Sequence, residues 1–593
     1  MGLIRYNASQ CFLSVSHSSI IAFMAKKKTV AKKTAVPKKK ATKKKPTKKT
    51  SAAEKSFEAT LWDTADKLRG TVESSEYKHV VLSLIFLKFV SDRFEARRQE
   101  IIDEGHDDHV DMVEFYTMKN VFYLPKKSRW STIVKQAKQD DIAVRIDSAL
   151  HAVEKNNPSL KGALPDNYFS RMGIDVAKLA ALIDSINNIN TIKDSEEDAQ
   201  EDIVGRVYEY FLGKFAATEG KGGGEFYTPK CVVNLIAEMI EPYSGKIYDP
   251  CCGSGGMFVQ SVKFITSHSG NQKDISIYGQ EQTSTTYKLA KMNLAIRGIS
   301  GNLGEVPADT FFKDQHPDLK ADYIMANPPF NLKAWRGTDE LTDDARWSGY
   351  EVPPTGNANY GWILHMISKL SENGIAGFVL ANGSMSTSTK GEGDIRQKII
   401  ENDLVDCMIA LPGQLFYTTQ IPVCLWFLTK SKKARKVKGR SESNQRARTG
   451  ETLFIDARNH GSMMARTHKE LTEADIAAIV DTYHAWRGDP TVSGKALAAG
   501  SSGGSPAASA LPLTTIYKDK PGFCKSSTIE DIAANDYVLT PGRYVGAAPL
   551  EDDGIPFETK MTDLTTTLYQ QMDDAKKLDK SIQKNLEALG YGK

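Results

Sequence analysis

The chain has 593 residues, of which 40% are hydrophobic and 25% charged; this composition is typical of a globular protein, and the length favours two or three domains. Residues 1–50 hold 14 basic side chains and no acidic one, so positions 51–593 carry 63 basic against 73 acidic side chains, a net charge of −10. The lack of an apolar run of about 18 residues argues against a membrane-spanning helix, and the acidic body argues against a protein that binds nucleic acid unaided.

The first 54 residues are predicted to be a disordered, lysine-rich leader. The 13 lysines of residues 26–49, mixed with Ala, Thr and Pro, cannot form a core, and either a polyanionic partner or a solvated tail would explain them. Met24 is followed by Ala-Lys-Lys-Lys and resembles a natural start, so residues 1–23 are expected to reflect the choice of start site. The seven Cys lack metal-binding spacing, and we expect reduced thiols and no metal.

The region from residue 55 to residue 215 has a helical hydrophobic pattern. Apolar side chains recur at helical spacing in the runs 61–68, 80–90, 179–183 and 204–212. Glycine is sparse and no alternation of polar and apolar residues persists. The sequence therefore predicts an all-α N-terminal domain.

After the glycine-rich break at Lys221–Gly224, short strand-like runs alternate with helical stretches, which predicts a doubly wound α/β domain over residues 216–490. The runs are 246–248, 275–278, 323–326, 376–380, 404–409 and 423–427. Thr472 to Asp475 resembles a capped helix start. Residues 491–515 are rich in Gly, Ser and Ala and are predicted to be a linker. Residues 516–593 are predicted to be a helical assembly segment, because an apolar stripe from Met561 onwards suits either a partner helix or the chain's own domain.

Three loops of the α/β region carry a nucleotide-type pattern. The first predicted strand runs into Asp249-Pro-Cys-Cys-Gly-Ser-Gly-Gly256, which has neither dinucleotide-site nor P-loop spacing. Ligands bind at the carboxyl ends of such strands, where glycines let the backbone come close. Glu281 follows the second strand, where an acid can accept hydrogen bonds from ribose hydroxyls. Asp309 closes a third stretch and could face an adenine amino group.

The strand at 323–326 runs into Asn327-Pro328-Pro329-Phe330. The two prolines stiffen the loop and direct its carbonyl groups outwards. Asn327 adds a side-chain carbonyl oxygen and Phe330 a flat apolar ring, a set that suits an exocyclic amine held between two acceptors and stacked on a ring. A plain strand-ending turn would explain an isolated Asn-Pro-Pro, but not its place one strand beyond a nucleotide-type site.

This series resembles the motifs of amino-methyltransferases. The resemblance implies an S-adenosylmethionine-dependent (Rossmann-like) methyltransferase of the gamma-type order, with a catalytic loop at Asn327–Phe330 that transfers a methyl group to adenine N6 in DNA. The element Gly224-Glu-Phe-Tyr-Thr-Pro-Lys230 is similar to the one that covers the methionyl group. The implied cofactor-binding residues are Glu225, Phe226, Tyr227, Thr228, Pro229, Lys230, Asp249, Gly253, Ser254, Gly255, Glu281 and Asp309.

The flanking segments narrow the resemblance to the modification subunit of type I restriction-modification systems. They are 61–70, 76–78, 84–88, 205–212, 411–416 and 541–544. The resemblance implies a cytoplasmic complex of two copies of this chain with a DNA specificity subunit, a nuclease/translocase restriction subunit and double-stranded DNA, without a membrane partner. A separate specificity subunit would also account for the acidic body.

Three alternatives stay open at this point. A stand-alone adenine methyltransferase would need its own recognition module, and the residues after position 440 show a linker and helices instead. A protein-glutamine methyltransferase uses a similar Asn-Pro-Pro loop, usually ending in Tyr rather than Phe330. A non-catalytic assembly or DNA-binding subunit would lack cofactor binding altogether.

Overall fold

A computed structural model describes part of the chain, and the structural statements below concern these residues. They are 62, 66, 74–188, 210–211, 228–268, 270–389, 391–416, 421–436, 444–465, 468–488, 516–547 and 557–588. The leader 1–54, the positions Glu225, Phe226 and Tyr227, and the linker 491–515 therefore lie outside the described residues.

The described N-terminal residues form helices, as the hydrophobic pattern predicts. The helices are α1 (Ser74–Asp103), α2 (Glu114–Thr117), α3 (Trp130–Gln136), α4 (Ile142–Asn156), α5 (Tyr168–Arg171) and α6 (Val176–Asn187). Helix α1 is at the centre, since every apolar side chain from Val80 to Val90 is buried. The same core includes Leu289 and Met292, which belong to a helix of the following α/β region, so the two regions pack directly on each other.

A mixed sheet of nine strands forms the body of the second region. Its strands are β1 (Gly245–Asp249), β2 (Ile275–Gly279), β3 (Gly301–Asn302), β4 (Ala321–Ala326), β5 (Leu370–Ala381), β6 (Val405–Ala410), β7 (Val423–Thr429), β10 (Glu451–Asp456) and β13 (Cys524–Thr528). They lie in the order β13-β10-β6-β7-β5-β4-β1-β2-β3. Strands β3, β2, β1, β4 and β5 run parallel, whereas β7 is antiparallel to both β5 and β6. The strand order reverses between β1 and β4, which is where a doubly wound sheet opens a crevice.

Helices cover both faces of this sheet. They are α7 (Lys230–Ile240), α8 (Gly256–Ser267), α9 (Ser284–Ile296), α10 (Asn359–Lys369), α11 (Glu392–Glu401), α12 (Glu473–Arg487) and α13 (Ile529–Ala533). Neighbouring strand residues point to opposite faces: Met325 packs in the cluster that contains α7 and α12, and Ile324 in the cluster that contains α10 and α11. The predicted doubly wound architecture is confirmed.

The region after residue 430 contains more strand than the sequence predicts. Residues 431–450, which lie beyond the last strand-like run of the sequence, contain the short pair β8 (Arg435–Lys436) and β9 (Asn444–Gln445). The antiparallel strands β11 (Ser462–Ala465) and β12 (His468–Glu470) follow β10. Helix α12 begins with the predicted capping box, in which Thr472 and Asp475 exchange hydrogen bonds. Strand β13 pairs with β10, so the sheet continues past position 490, where the sequence pattern places the end of this domain.

The last described element is the 32-residue helix α14 (Phe557–Ala588). Its described side chains are exposed almost throughout, and its apolar stripe is exposed with them. The stripe consists of Met561, Leu564, Leu568, Met572, Leu578, Ile582 and Leu586. Among the described helices, none combines the length and apolar character needed to cross a membrane.

Candidate active site

The loop after β1 lies at the crevice where the strand order reverses. Gly253 and Gly255 have φ of +53° and +80°, the left-handed region that glycine adopts without a Cβ penalty, and helix α8 begins at the next residue. A Cβ placed on Gly253 or Gly256 would find no atom within 4 Å. The Asn293 amide donates to the Ser254 carbonyl at 2.7 Å and holds the turn on α9. The loop therefore presents bare backbone to open space.

Glu281, two residues beyond β2, is joined directly to this loop. One of its carboxylate oxygens accepts from the Gly253 N–H at 3.1 Å, and the other accepts from the Thr283 N–H at 2.8 Å. The Cys252 N–H also donates to the Gln280 carbonyl at 2.9 Å. The structure thus brings together the first glycine loop and the acid that the sequence places in the same site.

Asp309 lies in a third segment that reaches the same place, although it follows β3 by several residues rather than ending the strand. The N–H of its neighbour Ala308 donates to the Glu281 carbonyl at 3.0 Å, and the Thr310 hydroxyl donates to the Pro250 carbonyl at 2.5 Å. The Asp309 carboxylate accepts from the Phe311 N–H at 2.7 Å, which fixes its direction. The three acidic positions predicted from the sequence therefore belong to one group of adjoining loops.

Asp249 is almost fully buried at the base of this group. Burial raises its pKa to about 7, against the hydrogen bond that its carboxylate accepts from the Cys251 N–H at 3.0 Å, and the charge of Glu281 adds to the rise. Burial also raises the pKa of the Cys251 and Cys252 thiols, which are therefore protonated rather than nucleophilic. A cationic ligand would favour the ionised form of Asp249, because it would supply the missing positive charge.

The Asn-Pro-Pro-Phe loop begins at the end of β4, across the crevice. The Asn327 amide nitrogen donates to the Thr228 hydroxyl at 3.0 Å. Thr228 and Pro229 immediately precede α7, which starts at Lys230, so the described half of the predicted cofactor-covering element contacts the predicted catalytic loop. This hydrogen bond fixes the orientation of the amide plane of Asn327.

Phe330 is half-buried at the far end of this loop. Its ring packs edge-on against the Phe416 ring, with centroids 5.9 Å apart and planes at 74°. Phe416 ends the segment Leu411–Phe416 that follows β6, so the fifth flanking motif of the sequence also reaches the crevice. These two rings, called the Phe330 pocket below, therefore bring together segments that are distant in sequence.

A pair of asparagines fixes the chain immediately after Phe330, and the sequence patterns gave no sign of it. Asn331 has φ of +53°, and its N–H donates to the side-chain oxygen of Asn359 at 3.1 Å. The Asn359 amide nitrogen donates back to the side-chain oxygen of Asn331 at 2.9 Å. Asn359 is 1% exposed and begins α10. This reciprocal pair, the amide clamp, ties the catalytic loop to a helix that is buried against the sheet.

A second unpredicted group supports the Asp309 segment from below. Arg346 donates to the carbonyls of Thr310 and Phe311 at 3.1 and 2.6 Å and contacts a ring nitrogen of His365 at 3.2 Å. The other ring nitrogen lies 3.1 Å from the Tyr248 hydroxyl. Burial, assisted by the Arg346 charge, lowers the pKa of His365 to about 3, so the imidazole is neutral. Arg346 belongs to a segment without regular periodicity, where no sequence signal distinguishes it from a surface arginine.

The side chains of the described residues do not form a metal-binding cluster. No group of three or more His, Cys, Asp or Glu side chains in the described ranges is arranged to hold a metal ion. The site instead combines carboxylates, backbone N–H groups and amide oxygens, a donor set suited to ribose, purine and amine groups.

Comparison with known proteins gives consistent matches along the chain. The family model for N-6 DNA methylases matches residues 199–553, and the model for the HsdM N-terminal domain matches residues 57–186. The chain is 45% identical over 485 residues to the type I restriction enzyme HindI methylase subunit of Haemophilus influenzae, which covers 79% of this chain and 100% of the relative. It is 38% identical over 557 residues to the MjaIX methylase subunit of Methanocaldococcus jannaschii, covering 90% and 92%.

The fold is also similar to solved structures. The crystal structure of the type I restriction-modification methyltransferase subunit from Streptococcus thermophilus superimposes with a TM-score of 0.64 at 22% identity, covering 82% of this chain and 99% of that one. The order of a helical N-terminal region followed by a mixed sheet is therefore shared with a solved protein of this class.

Proposed function

The chain belongs to the methylase subunits of type I restriction enzymes, DNA adenine-N6 methyltransferases, and we propose that Asn327–Phe330 is the loop at which methyl transfer occurs. The observation that carries the proposal is the junction of this loop with Thr228. The junction joins the predicted catalytic and cofactor-covering elements through the Asn327 amide at 3.0 Å. The same crevice contains the Asp249 loop and Glu281, so a cofactor and a target base would meet there.

The residues of the crevice fit S-adenosylmethionine. When bound, this cofactor supplies an electrophilic methyl group carried on a sulfonium. Glu281 would accept hydrogen bonds from the ribose hydroxyls and Asp309 would face the adenine amino group. The open backbone at Gly253 leaves room for the methionyl part, and the carboxylate of Asp249 would compensate positive charge. Thr228, Pro229 and Lys230, with the preceding Glu225–Tyr227, would close over the methionyl group.

Catalysis by this site rests on positioning. The Asn327 amide nitrogen donates to Thr228, so the side-chain oxygen points to the other side of the amide, where it would accept a hydrogen from N6 of adenine. The Pro328 carbonyl would accept the second hydrogen, and the Phe330 ring would stack on the base. The adenine must leave the duplex first, at a cost of about a few kcal/mol. With the amine lone pair aimed at the methyl carbon, direct transfer requires no covalent enzyme intermediate.

We assign to this chain the catalytic role in a cytoplasmic complex with other subunits. A specificity subunit would read the DNA sequence, which agrees with the net charge of −10 over residues 51–593. The exposed apolar stripe of α14 is the surface proposed to join that subunit, with two copies of this chain per complex. A restriction subunit would carry the nuclease, the translocase and the ATP site.

The test uses the full chain purified with and without its specificity subunit. Asn327→Ala is expected to reduce methylation of DNA by about 100- to 1,000-fold, because the acceptor that aligns N6 is lost. S-adenosylmethionine binding, measured by calorimetry, should change by less than about threefold. Asn402→Ala, at an exposed amide beyond α11, is the matched control and should methylate at the wild-type rate.

Three outcomes would contradict the proposal. Unchanged methylation by Asn327→Ala would remove the loop from catalysis. Full activity of the chain without the specificity subunit would favour a stand-alone methyltransferase. The absence of cofactor binding in the wild-type chain would favour a non-catalytic assembly subunit.

A further inference from the structure

The paired strands β11 (Ser462–Ala465) and β12 (His468–Glu470), the hairpin, are bonded to the segment that contacts the catalytic loop. Met463 is 51% exposed and Met464 is 65% exposed. The register of β11 with β12 shifts between Met463 and Ala465, so Met464 lies at a β-bulge and both methionines are open to solvent there. Two adjacent exposed methionines are unusual on a strand that a domain uses for its own core, and the proposed mechanism assigns them no role.

The base of the hairpin is attached to one wall of the Phe330 pocket. The backbone N–H of Lys469 donates to the Gln414 carbonyl at 2.9 Å. Gln414 lies in the Leu411–Phe416 segment, whose Phe416 ring packs on Phe330. Strand β12 therefore runs alongside the segment that forms one side of the pocket.

Leu471, the residue after β12, lies beside the first turn of α7. Leu471 packs in the same apolar cluster as Phe416 and Phe330, and its backbone is within hydrogen-bonding reach of the Cys231 thiol. Cys231 is in the first turn of α7, three residues after Thr228, which holds the Asn327 amide. The hairpin thus adjoins both segments that contact the catalytic loop.

The carboxylates around the base of the hairpin have histidine partners. Glu470 lies 3.3 Å from a ring nitrogen of His468, and Asp475 lies 3.0 Å from a ring nitrogen of His460. The Lys469 ammonium donates to the His460 carbonyl at 3.0 Å, which keeps this positive charge at the same place. DNA that approaches the hairpin would therefore meet the positive charge of Lys469 and two carboxylates that already lie within hydrogen-bonding distance of histidines.

We propose that this hairpin contacts the DNA duplex beside the flipped adenine, and that Met463 and Met464 fill the space which the base leaves. The inference rests on the proposed function, since it needs a base to enter the Phe330 pocket. A duplex that delivers a base to Phe330 would lie within reach of a hairpin attached to the segments around that ring. Apolar side chains, methionine included, are used as wedges between base steps, where they offset the loss of stacking.

The experiment uses the complex of the full chain with its specificity subunit and a duplex containing the sequence that the wild-type complex methylates. For the measurement of flipping alone, 2-aminopurine replaces the target adenine, since its fluorescence increases when it leaves the stack; the duplexes used for methylation keep the adenine, because 2-aminopurine lacks the 6-amino group. The double variant Met463→Ser/Met464→Ser is compared with Met118→Ser, an 81% exposed methionine of the helical region. Methylation is measured on a fully paired duplex and on one with a mismatch opposite the target adenine.

The double variant is expected to reduce the fluorescence increase at least about fivefold and kcat/KM on paired DNA about tenfold, because flipping is less favourable. A mismatch already weakens the pair, so on that duplex kcat/KM should return to within about threefold of the wild-type value. Met118→Ser should match the wild type on both duplexes.

Equal flipping by the double variant, or an equal loss on paired and mismatched DNA, would overturn the inference. Loss of the specificity subunit from the complex would overturn it too, because the hairpin would then be a protein-docking element. Failure of the wild-type complex to methylate either duplex would instead count against the proposed function. This result can be told apart from the others, because it occurs without any substitution in the hairpin.

Discussion

The polar groups of the catalytic crevice make hydrogen bonds within the chain, whereas the apolar side chains of helix α14 are exposed to solvent. In the crevice, the loops after β1 and β2 are joined by the hydrogen bond of Glu281 with Gly253, and the loop after β4 is joined to the start of α7 by that of Asn327 with Thr228. Helix α14 is 32 residues long, yet side chains of its apolar stripe, among them Leu564 and Leu578, are 58% and 64% exposed.

This difference matches the two proposed roles, catalysis in the crevice and association with other subunits at helix α14. A crevice whose loops are fixed by internal contacts can be preorganised before any partner arrives, which is what positioning catalysis requires. An exposed apolar stripe loses the free energy that burial would provide, about 25 cal/mol per Å², and gains it only on a partner surface. Substitutions in the two regions should therefore affect different measurements.

The largest expected effect is on the interior of the sheet region. Arg448 and Asp406 form a fully buried ion pair at 2.7 Å, and the Tyr483 hydroxyl donates to the same carboxylate. Burial alone would raise the pKa of Asp406, but the Arg448 charge lowers it to about 2. Arg448→Ala would leave this carboxylate uncompensated and reduce the free energy of unfolding by about 3–5 kcal/mol, measured by urea denaturation.

The control for this prediction is Arg145→Ala, which removes the partner of Asp141 in a pair whose side chains are 37% and 54% exposed. Surface pairs contribute at most about 1 kcal/mol, so its unfolding curve should nearly overlay that of the wild type. Equal unfolding curves for the two variants would show that the interior pair does not stabilise the sheet.

The second prediction concerns the stripe of α14. Leu568→Asp/Leu578→Asp places two charges in an apolar contact and should weaken association with the specificity subunit at least about 100-fold, by surface plasmon resonance. The thermal midpoint of the isolated chain should be unchanged, since both positions are exposed in it. Gln570→Asp/Gln583→Asp, on the polar side of the helix, should retain association. A drop in the thermal midpoint would mean that α14 packs on its own chain and would remove the contrast between the two regions.

The third prediction tests whether the amide clamp preorganises the catalytic loop. Asn359→Leu keeps the branched shape of the side chain but removes the amide clamp, so Asn331 and the adjoining Phe330 lose their fixed position. We expect kcat for methylation to fall about 10- to 50-fold with little change in the dissociation constant of S-adenosylmethionine. Ser368→Ala, near the other end of α10, serves as the control. A loss of cofactor affinity equal to the loss in kcat would instead indicate general distortion of the site.

The smallest effect is a pH dependence at Asp249. Its pKa of about 7 lies above the usual value, so the acid form predominates below pH 7 and a cationic ligand must displace the proton. Affinity for S-adenosylmethionine should therefore rise with pH, by up to about tenfold per unit below pH 7, and level off above it. Calorimetry between pH 5.5 and 7.5 would measure this, and Asp249→Asn should remove the slope. A wild-type profile as flat as that of the variant would contradict the assignment.

The same raised pKa has a consequence for stability. A carboxyl group whose pKa is higher in the folded than in the unfolded state favours folding at low pH, and this contribution is lost as the pH rises from about 4 to about 7. Bound cofactor should offset that loss, because it favours the ionised form. Ionisation of Asp249 thus destabilises the free chain and favours the binding of a cationic ligand.

Much of the fold could be predicted because its signals are local. The helical periodicity around Val80–Val90, the strand runs now seen as β1, β2, β4 and β7, and the capping box at Thr472 are each determined by residues close together in the chain. Strands β3 and β13 were missed because one is two residues long and the other lies at the edge of the sheet, where the hydrophobic pattern is weak.

The site divides along the same line. The motif residues could be identified without a structure, since Asp249, Glu281 and Asn327 each follow a recognisable strand, and strand ends in a parallel sheet share one edge. The groups that support them become visible in the folded chain: Asn359 contacts the catalytic loop from 28 residues away, and Arg346 contacts Phe311 from 35. Such contacts follow from how helices pack on the sheet, and that packing leaves no periodic pattern in the chain.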